Sequence, residues 1–348
     1  MDGSFFKRVF SALFVLLIAA CMPAAAEAYF KSEKVFEFDE NRPQNHASTI
    51  AEMPNGDLLV TWFGGTSEGL GDVALWICRK SAQTGEWSKP ERLVDNPELA
   101  EGNSVLFTDS KGKVWLFYVL KYAEKWDAWD QCNVFLKTSE DSGMTWTEPR
   151  KLTDKLGWMI RNNIIELEGG TLVLPTYIEE PIHSYIWTSN DGFETREEYS
   201  VPVTEPGNSQ PSIVYLNNGK FLVFGRYHGV PGKIWMSMSS DYGKTWKKPR
   251  KMKFNNPDSA INGIRLKSGS IVLAFNDSKW YRTPLTVALT ENDGRNWDFK
   301  KNLETEKAEY SYPFMIQSED GLIHLTYTSE NRKFINHVIF NEEWLKSE

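Results

Sequence analysis

Cysteine and histidine are scarce in this sequence, with three Cys and five His among 348 residues. They do not fall at zinc-site spacing, which excludes a metal centre of that kind. Outside the N-terminal segment only Cys78 and Cys132 remain, and two cysteines cannot build a disulfide framework. They either form one bridge or act as small buried apolar residues. A Gly-rich phosphate loop is also missing, so no cofactor is expected. Positive charge is in deficit: 39 Lys and Arg stand against 47 Asp and Glu, a net charge of -8. Nucleic-acid binding needs the opposite balance and is excluded as an expectation. A small anion is not excluded, because a local arginine cluster can sit on an acidic protein. No apolar run is long enough to span a bilayer comfortably. The run Val9 to Ala20 follows Lys7 and Arg8 and precedes Ala26-Glu27-Ala28. That order reads as a signal peptide over residues 1–28, sending the chain to the periplasm or outside the cell. Ile18-Ala19-Ala20-Cys21 offers a competing cleavage site, at which Cys21 would become a lipid anchor.

What the sequence has in excess is aromatic residues, 14% of the chain, including 14 Trp. Their flat apolar faces and polar edges suit both sheet packing and sugar stacking, and most are expected to pack. A repeat organises them. An apolar strand, a glycine turn and a second strongly apolar strand recur, as in Pro54-Asn55-Gly56-Asp57-Leu58-Leu59 and Asn217-Asn218-Gly219-Lys220-Phe221-Leu222. The turn glycines stand at 56, 112, 170, 219, 269 and 321, at spacings of 56, 58, 49, 50 and 52 residues. Each turn reads as a tight hairpin and each unit has the size of a propeller blade. The fold class expected is all-β, a six-bladed β-propeller of four-stranded antiparallel blades. It forms one domain over 29–348, with no linker or composition break. Such a ring must close its edges, and Lys34-Val35-Phe36-Glu37-Phe38 is expected to add the outer strand of the last blade beside Phe334–Val338.

A second signal follows the third strand of several units. Ser139-Glu140-Asp141-Ser142-Gly143-Met144-Thr145-Trp146 and Ser239-Ser240-Asp241-Tyr242-Gly243-Lys244-Thr245-Trp246 are its clearest copies. Thr290 to Trp297 is looser, and Ser189-Asn190-Asp191-Gly192 and Thr84-Gly85-Glu86-Trp87 are degenerate. Ser and Asp side chains can bond neighbouring backbone and fix a turn. The box is expected on the outer rim as a structural staple, away from any site. On these boxes and the phased hairpins the chain resembles the sialidase superfamily, whose Asp boxes, or BNR repeats, have this form. The resemblance covers essentially everything after the N-terminal segment.

The first strand of each propeller blade lines the central channel, so the residues that open those strands converge on one face. Here these are His46, Gly102-Asn103, Arg161-Asn162, Ser209-Gln210, Ile261-Asn262 and Tyr310 to Tyr312. They are polar and aromatic where a core would be apolar, which marks that face as the site. The resemblance implies roles. The family's tyrosine nucleophile, nine residues before the last hairpin glycine, falls on Tyr312, with Tyr310 as its rival. An arginine that clamps a substrate carboxylate falls on Arg282, and Arg226 is the nearest match to a second. The acid/base falls on Glu68, a Glu where sialidases have Asp. Two positions depart from the pattern: His46 replaces an arginine, and Gln210 replaces the Glu that would take a proton from the tyrosine, which an amide cannot do. Arg161 adds a cation from blade 3, and Asn262 is a candidate substrate-binding residue. Three readings stay open. One is a secreted glycosidase that acts as a monomer and removes a terminal sugar from a glycan, with sialic acid or a related acid sugar as one candidate among several. Another is a lyase in which His46 and Tyr312 are base and acid on a uronic acid. The third is a non-catalytic carbohydrate-binding propeller.

Overall fold

The structure, a computed structural model, describes residues 27–122, 128–202, 204–205, 207–229 and 232–348. Of the signal peptide expected over residues 1–28, residues 1–26 lie outside the described residues. Six antiparallel sheets form a ring of blades, as the repeat implied. Blade 1 runs from Gln44 to Val94, blade 2 from Ala100 to Lys151, and blade 3 from Trp158 to Ser200. Blades 4 and 5 follow over Asn208–Asn255 and Asn262–Glu304. Blade 6 takes three strands from Ser311 to Phe340 and a fourth from the N-terminal side.

The hairpins hold at every repeat. All six turn glycines adopt φ between 74° and 95°, a left-handed conformation open to Gly at low cost. Second strands such as Val114–Lys121 are buried along their whole length, because neighbouring blades cover both faces. Trp62 and Trp187 are fully buried between sheets. Among the described residues no helix is long and apolar enough to cross a membrane.

Three details differ from expectation. The closing strand is Phe30–Lys34, a few residues earlier than the sequence suggested, with Phe30 opposite Phe340 and Lys34 opposite Asn336. Its anchor is Glu33, whose Oε1 accepts from Lys80 Nζ, from Trp87 Nε1 at 3.0 Å and from His337 Nδ1 at 3.1 Å. Val35 and Phe36 instead turn into the core, where Phe36 stacks on Trp62, and Phe38 returns to the surface. In blade 3 the first strand is split into Trp158–Ile160 and Ile165–Glu166, giving that sheet five strands. The gap is where Arg161 and Asn162 turn inward. Finally, the degenerate box of blade 3 keeps its bonds. Asp191 accepts from Thr195 N and Oγ1, and Ser189 Oγ accepts from Phe193 N at 2.8 Å. Phe193 holds the left-handed position at φ 65°, and Arg196 covers Trp187 at 4.0 Å.

Cys78 and Cys132 are both unpaired and buried, which selects the apolar reading over the bridge. Burial pushes both thiols up, Cys78 to about 12.

Candidate functional site

The first strands deliver their opening residues through β-bulges. The register shifts between His46 and Thr49, Glu101 and Ser104, Ser209 and Ser212, and Ser311 and Phe314. A bulge adds a residue and re-aims a side chain. In three of these bulges the extra residue takes a left-handed φ: Ala47 at 57°, Gln210 at 50° and Tyr312 at 55°. Gln210 and Tyr312 carry bulky side chains in a conformation that costs roughly 1–3 kcal/mol each, so the surroundings must hold them there.

Those surroundings are cationic. Tyr312 is 8% exposed, and its hydroxyl oxygen accepts from Arg226 Nη1 at 2.9 Å and Gln210 Nε2 at 3.1 Å. The guanidiniums of Arg282 and Arg226 lie 5.5 and 6.0 Å from its ring centre. A third arginine, Arg332, completes the group. It sits in the turn between the second and third strands of blade 6, after Glu330 and Asn331. All three of these residues have left-handed φ. The turn is docked on blade 1, where Asn45 N donates to the Arg332 carbonyl at 2.7 Å. Sequence reasoning missed Arg332 because it falls in a polar turn outside the phase of the repeat.

Each arginine is backed by a carboxylate. Asp258 Oδ1 accepts from Arg226 Nε at 2.7 Å, and Glu309 Oε1 from Arg282 Nη1 at 2.8 Å. Glu309 Oε2 and Glu68 Oε2 accept from Arg332 Nε and Nη1 at 3.3 and 2.5 Å. Burial would lower the charge on Arg332, but Glu68 and Glu309 outweigh it and raise its affinity for the proton. Burial likewise opposes charge on Asp258 and Glu309. His228 and Arg226 overcome it at Asp258, and Arg282 and Arg332 at Glu309, so both are held below the usual carboxylate range. The carboxylates fix the guanidiniums in place without using every donor. Among the described residues, neither Nη2 of Arg226 nor Nη2 of Arg332 forms a hydrogen bond.

His46 does not stand among the arginines as a fourth cation. It lies beneath Tyr312, the two ring centres 4.1 Å apart, with Nδ1 2.8 Å from Thr328 Oγ1. Burial first, then Arg332, Arg282, Arg161 and Arg226, hold its imidazole well below its ordinary value, so it is neutral.

Arg161 and Asn262, expected to bind substrate, form the floor instead. Arg161 is 1% exposed and donates to three backbone carbonyls: Ser48, Tyr312 at 2.7 Å and Pro313. Burial lowers it to about 10. Asn262 is fully buried. It donates to Asn162 and Asn163 and accepts from Met315 N at 2.9 Å, tying blades 3, 5 and 6 together. Repeat phasing gives the face on which a strand opens but not the depth of each side chain. Tyr310 is also buried, but it packs against Tyr327 inside the last blades, so Tyr312 is the tyrosine at the centre.

A hollow of about 1140 Å³ opens at the other mouth of the channel, among residues at the far ends of the first strands and their hairpins, such as Pro54, Phe107, Tyr215 and Ile264. It brings no cluster of arginines to a buried hydroxyl, so volume does not locate the chemistry here.

The profile of the BNR repeat-like domain family matches residues 56–325. The chain belongs to that family. No curated protein matches it in sequence. Among solved structures, this BNR-repeat propeller is similar to a Hadza microbial sialidase, with a TM-score of 0.77 at 15% identity over 88% of this chain and 68% of that one. It is similar to the NanB sialidase from Streptococcus pneumoniae, with a TM-score of 0.76 at 13% identity over 90% and 71%. It also resembles a protein of unknown function from Dyadobacter fermentans, with a TM-score of 0.74 at 16% identity over 89% and 99%. At these identities the likeness establishes the fold.

Proposed function

We propose that the BNR-repeat propeller is a secreted glycoside hydrolase that removes a terminal sugar bearing a carboxylate, such as a sialic acid. The observation that carries this reading is the convergence of Arg226, Arg282 and Arg332 on Tyr312, with guanidinium donors left over. Planar guanidiniums match a carboxylate in a way that a lysine cannot. The sugar acid would lie across the three arginines, its anomeric carbon above the Tyr312 oxygen. The N–H groups of Arg226 and Gln210 are already aimed at that oxygen and need no reorganisation when charge develops. An anion so close to the reacting carbon disfavours a carboxylate nucleophile and suits a tyrosine, a recognised departure from the two-carboxylate plan. Trp280 and Tyr281, 60% and 71% exposed on the loop that carries Arg282, offer apolar faces at the rim for the rest of the glycan. Glu68 stands at the mouth but is committed to Arg332, which suits it to positioning that arginine.

The test is a panel of fluorogenic glycosides, acid and neutral, offered to the purified chain. Turnover of an acid-sugar glycoside, lost in Tyr312→Phe, is the expected result. Turnover of neutral glycosides alone would overturn the proposal.

One observation favours a second reading. His46 is neutral and packed on Tyr312, a pair able to act as base and acid in β-elimination from a uronate held by the same arginines. Unsaturated-uronate absorbance appearing with a polyuronate substrate would select it over hydrolysis.

A further inference from the structure

Four carboxyl groups surround the arginine cluster, and three are committed. Glu68 is paired with Arg332, Asp258 with Arg226, and Glu309 with Arg282 and Arg332. The fourth is Glu179, whose backbone pairs with Ile182 but whose side chain, among the described residues, has no hydrogen-bond or ion-pair partner.

Its place follows from strand alternation. Leu172–Glu179 is the second strand of blade 3, and residues two apart share a face. Tyr177 points to the channel. Its hydroxyl lies 3.3 Å from Gln210 Nε2 and 3.2 Å from Asn103 Nδ2, and the same Gln210 nitrogen reaches Tyr312. Glu179 is one step further along that face, at the strand's end next to Glu180 and Pro181. The charged and titratable groups around it come from several blades: Tyr177 on its own strand, Cys132 of blade 2, Arg226 and His228 of blade 4, Asp258 before blade 5, and Glu68 of blade 1. The half-buried side chain therefore looks into the site from the wall opposite Arg332 and Glu309.

Resting on the hydrolase reading, we propose that Glu179 is the proton-carrying residue of this site. The bond between the anomeric carbon and the glycosidic oxygen breaks with its electron pair going to the oxygen, which takes the proton of Glu179. Water then adds to the anomeric carbon and returns a proton to the Glu179 carboxylate, so that one water is consumed and the residue is regenerated. Burial favours the protonated form this role requires. Asp258 and Glu68 add to that preference, and Arg226 and His228 only partly offset it, so the carboxyl is raised above its ordinary value. Glu68 then serves as a positioning residue that holds Arg332. Gln210, which cannot carry a proton, joins Tyr177 to Tyr312.

The experiment compares the native chain with Glu179→Gln and Glu179→Ala by two readouts. The first needs no substrate. In an infrared pH titration the native chain should show more protonated carboxyl above the ordinary glutamate range than Glu179→Gln, in which only the other buried carboxyls, Glu101 foremost, still contribute. Identical titrations overturn the proposal. The second uses two glycosides of one acid sugar, a nitrophenyl glycoside with a good leaving group and an alkyl glycoside with a poor one. Glu179→Gln should lose roughly 10²–10⁴-fold on the alkyl glycoside and far less on the nitrophenyl one, because only the poor leaving group needs the proton. Added formate should restore part of the Glu179→Ala rate. Equal losses on both glycosides would overturn the role of Glu179 while leaving the hydrolase reading intact. No turnover of either by the native chain would overturn both.

Discussion

Arg332 Nη1 in the turn of blade 6 donates to Glu68 Oε2 of blade 1, so one ion pair lies both at the seam of the ring and at the mouth of the site. Removing the arginine takes away a carboxylate-binding fork and frees Glu68 to repel an anionic sugar. Arg332→Ala should raise KM roughly 10–100-fold, the equivalent of about 1.5–3 kcal/mol for charge-assisted hydrogen bonds. Arg332→Lys should recover little, since an ammonium cannot bond Glu309 and Glu68 and still present a planar fork. Steady-state kinetics on an acid-sugar glycoside checks both.

Tyr312→Phe keeps the ring that packs on His46 and removes only the oxygen that Arg226 and Gln210 address. Turnover should vanish while stability changes by about 1–2 kcal/mol, the cost of leaving buried donors unpaired. Thermal melting and kinetics on the same preparation separate the two effects. A large fall in melting temperature would mean that the hydroxyl is structural.

His46 is held neutral by burial and by four arginines, so it cannot supply an ionisation near neutrality. His46→Asn should therefore leave the inflections of the pH–rate profile where they are, whatever it does to the rate. An inflection near the ordinary imidazole value that disappears in the variant would contradict this placement.

The strand Phe30–Lys34 closes the ring through Glu33, and this latch should weaken in acid. Burial opposes charge on Glu33, but His337, Lys31 and Lys80 outweigh it and hold the carboxyl low. Burial lowers His337, while burial and then His337 push His324 down to about 3. All three groups bind protons more readily in the unfolded chain, so stability is present above their unfolded values and is lost as pH falls. The melting temperature should decline from about pH 6.5 towards pH 3, the window set by His324. Glu33→Ala should cost about 3 kcal/mol, since it leaves the buried Lys80 ammonium unpaired. A flat pH dependence of melting would contradict the latch.

The scaffold was legible because its cause is periodic. Hairpin glycines recur at blade spacing, and the boxes mark the passage from third to fourth strand. Tyr312, Arg226 and Arg282 were legible for the same reason: each stands on or beside a repeated strand. Arg332 was not, because a turn of three left-handed residues belongs to no repeat, and its position comes from docking on Asn45 of a blade distant in sequence. Glu179 was hidden at a strand end beside Pro181, where a lone Glu reads as a solvated turn residue. Arg161 and Asn262 were read in the right direction but at the wrong depth. Whether a polar residue of the channel meets solvent or carbonyl oxygens depends on its neighbours in other blades. The blade 3 box shows the reverse case: its letters had degenerated, but the Ser189–Asp191–Thr195 bonds remained, and those bonds are what the fold requires.

The most direct measurement is calorimetric binding of a free sialic acid and of its methyl ester to the native chain and to Arg226→Ala. If the three arginines hold a carboxylate, the acid should bind the native chain at least about 100-fold more tightly than the ester, and most of that preference should disappear in the variant. Equal affinity for acid and ester, or a preference that survives the loss of Arg226, would contradict it.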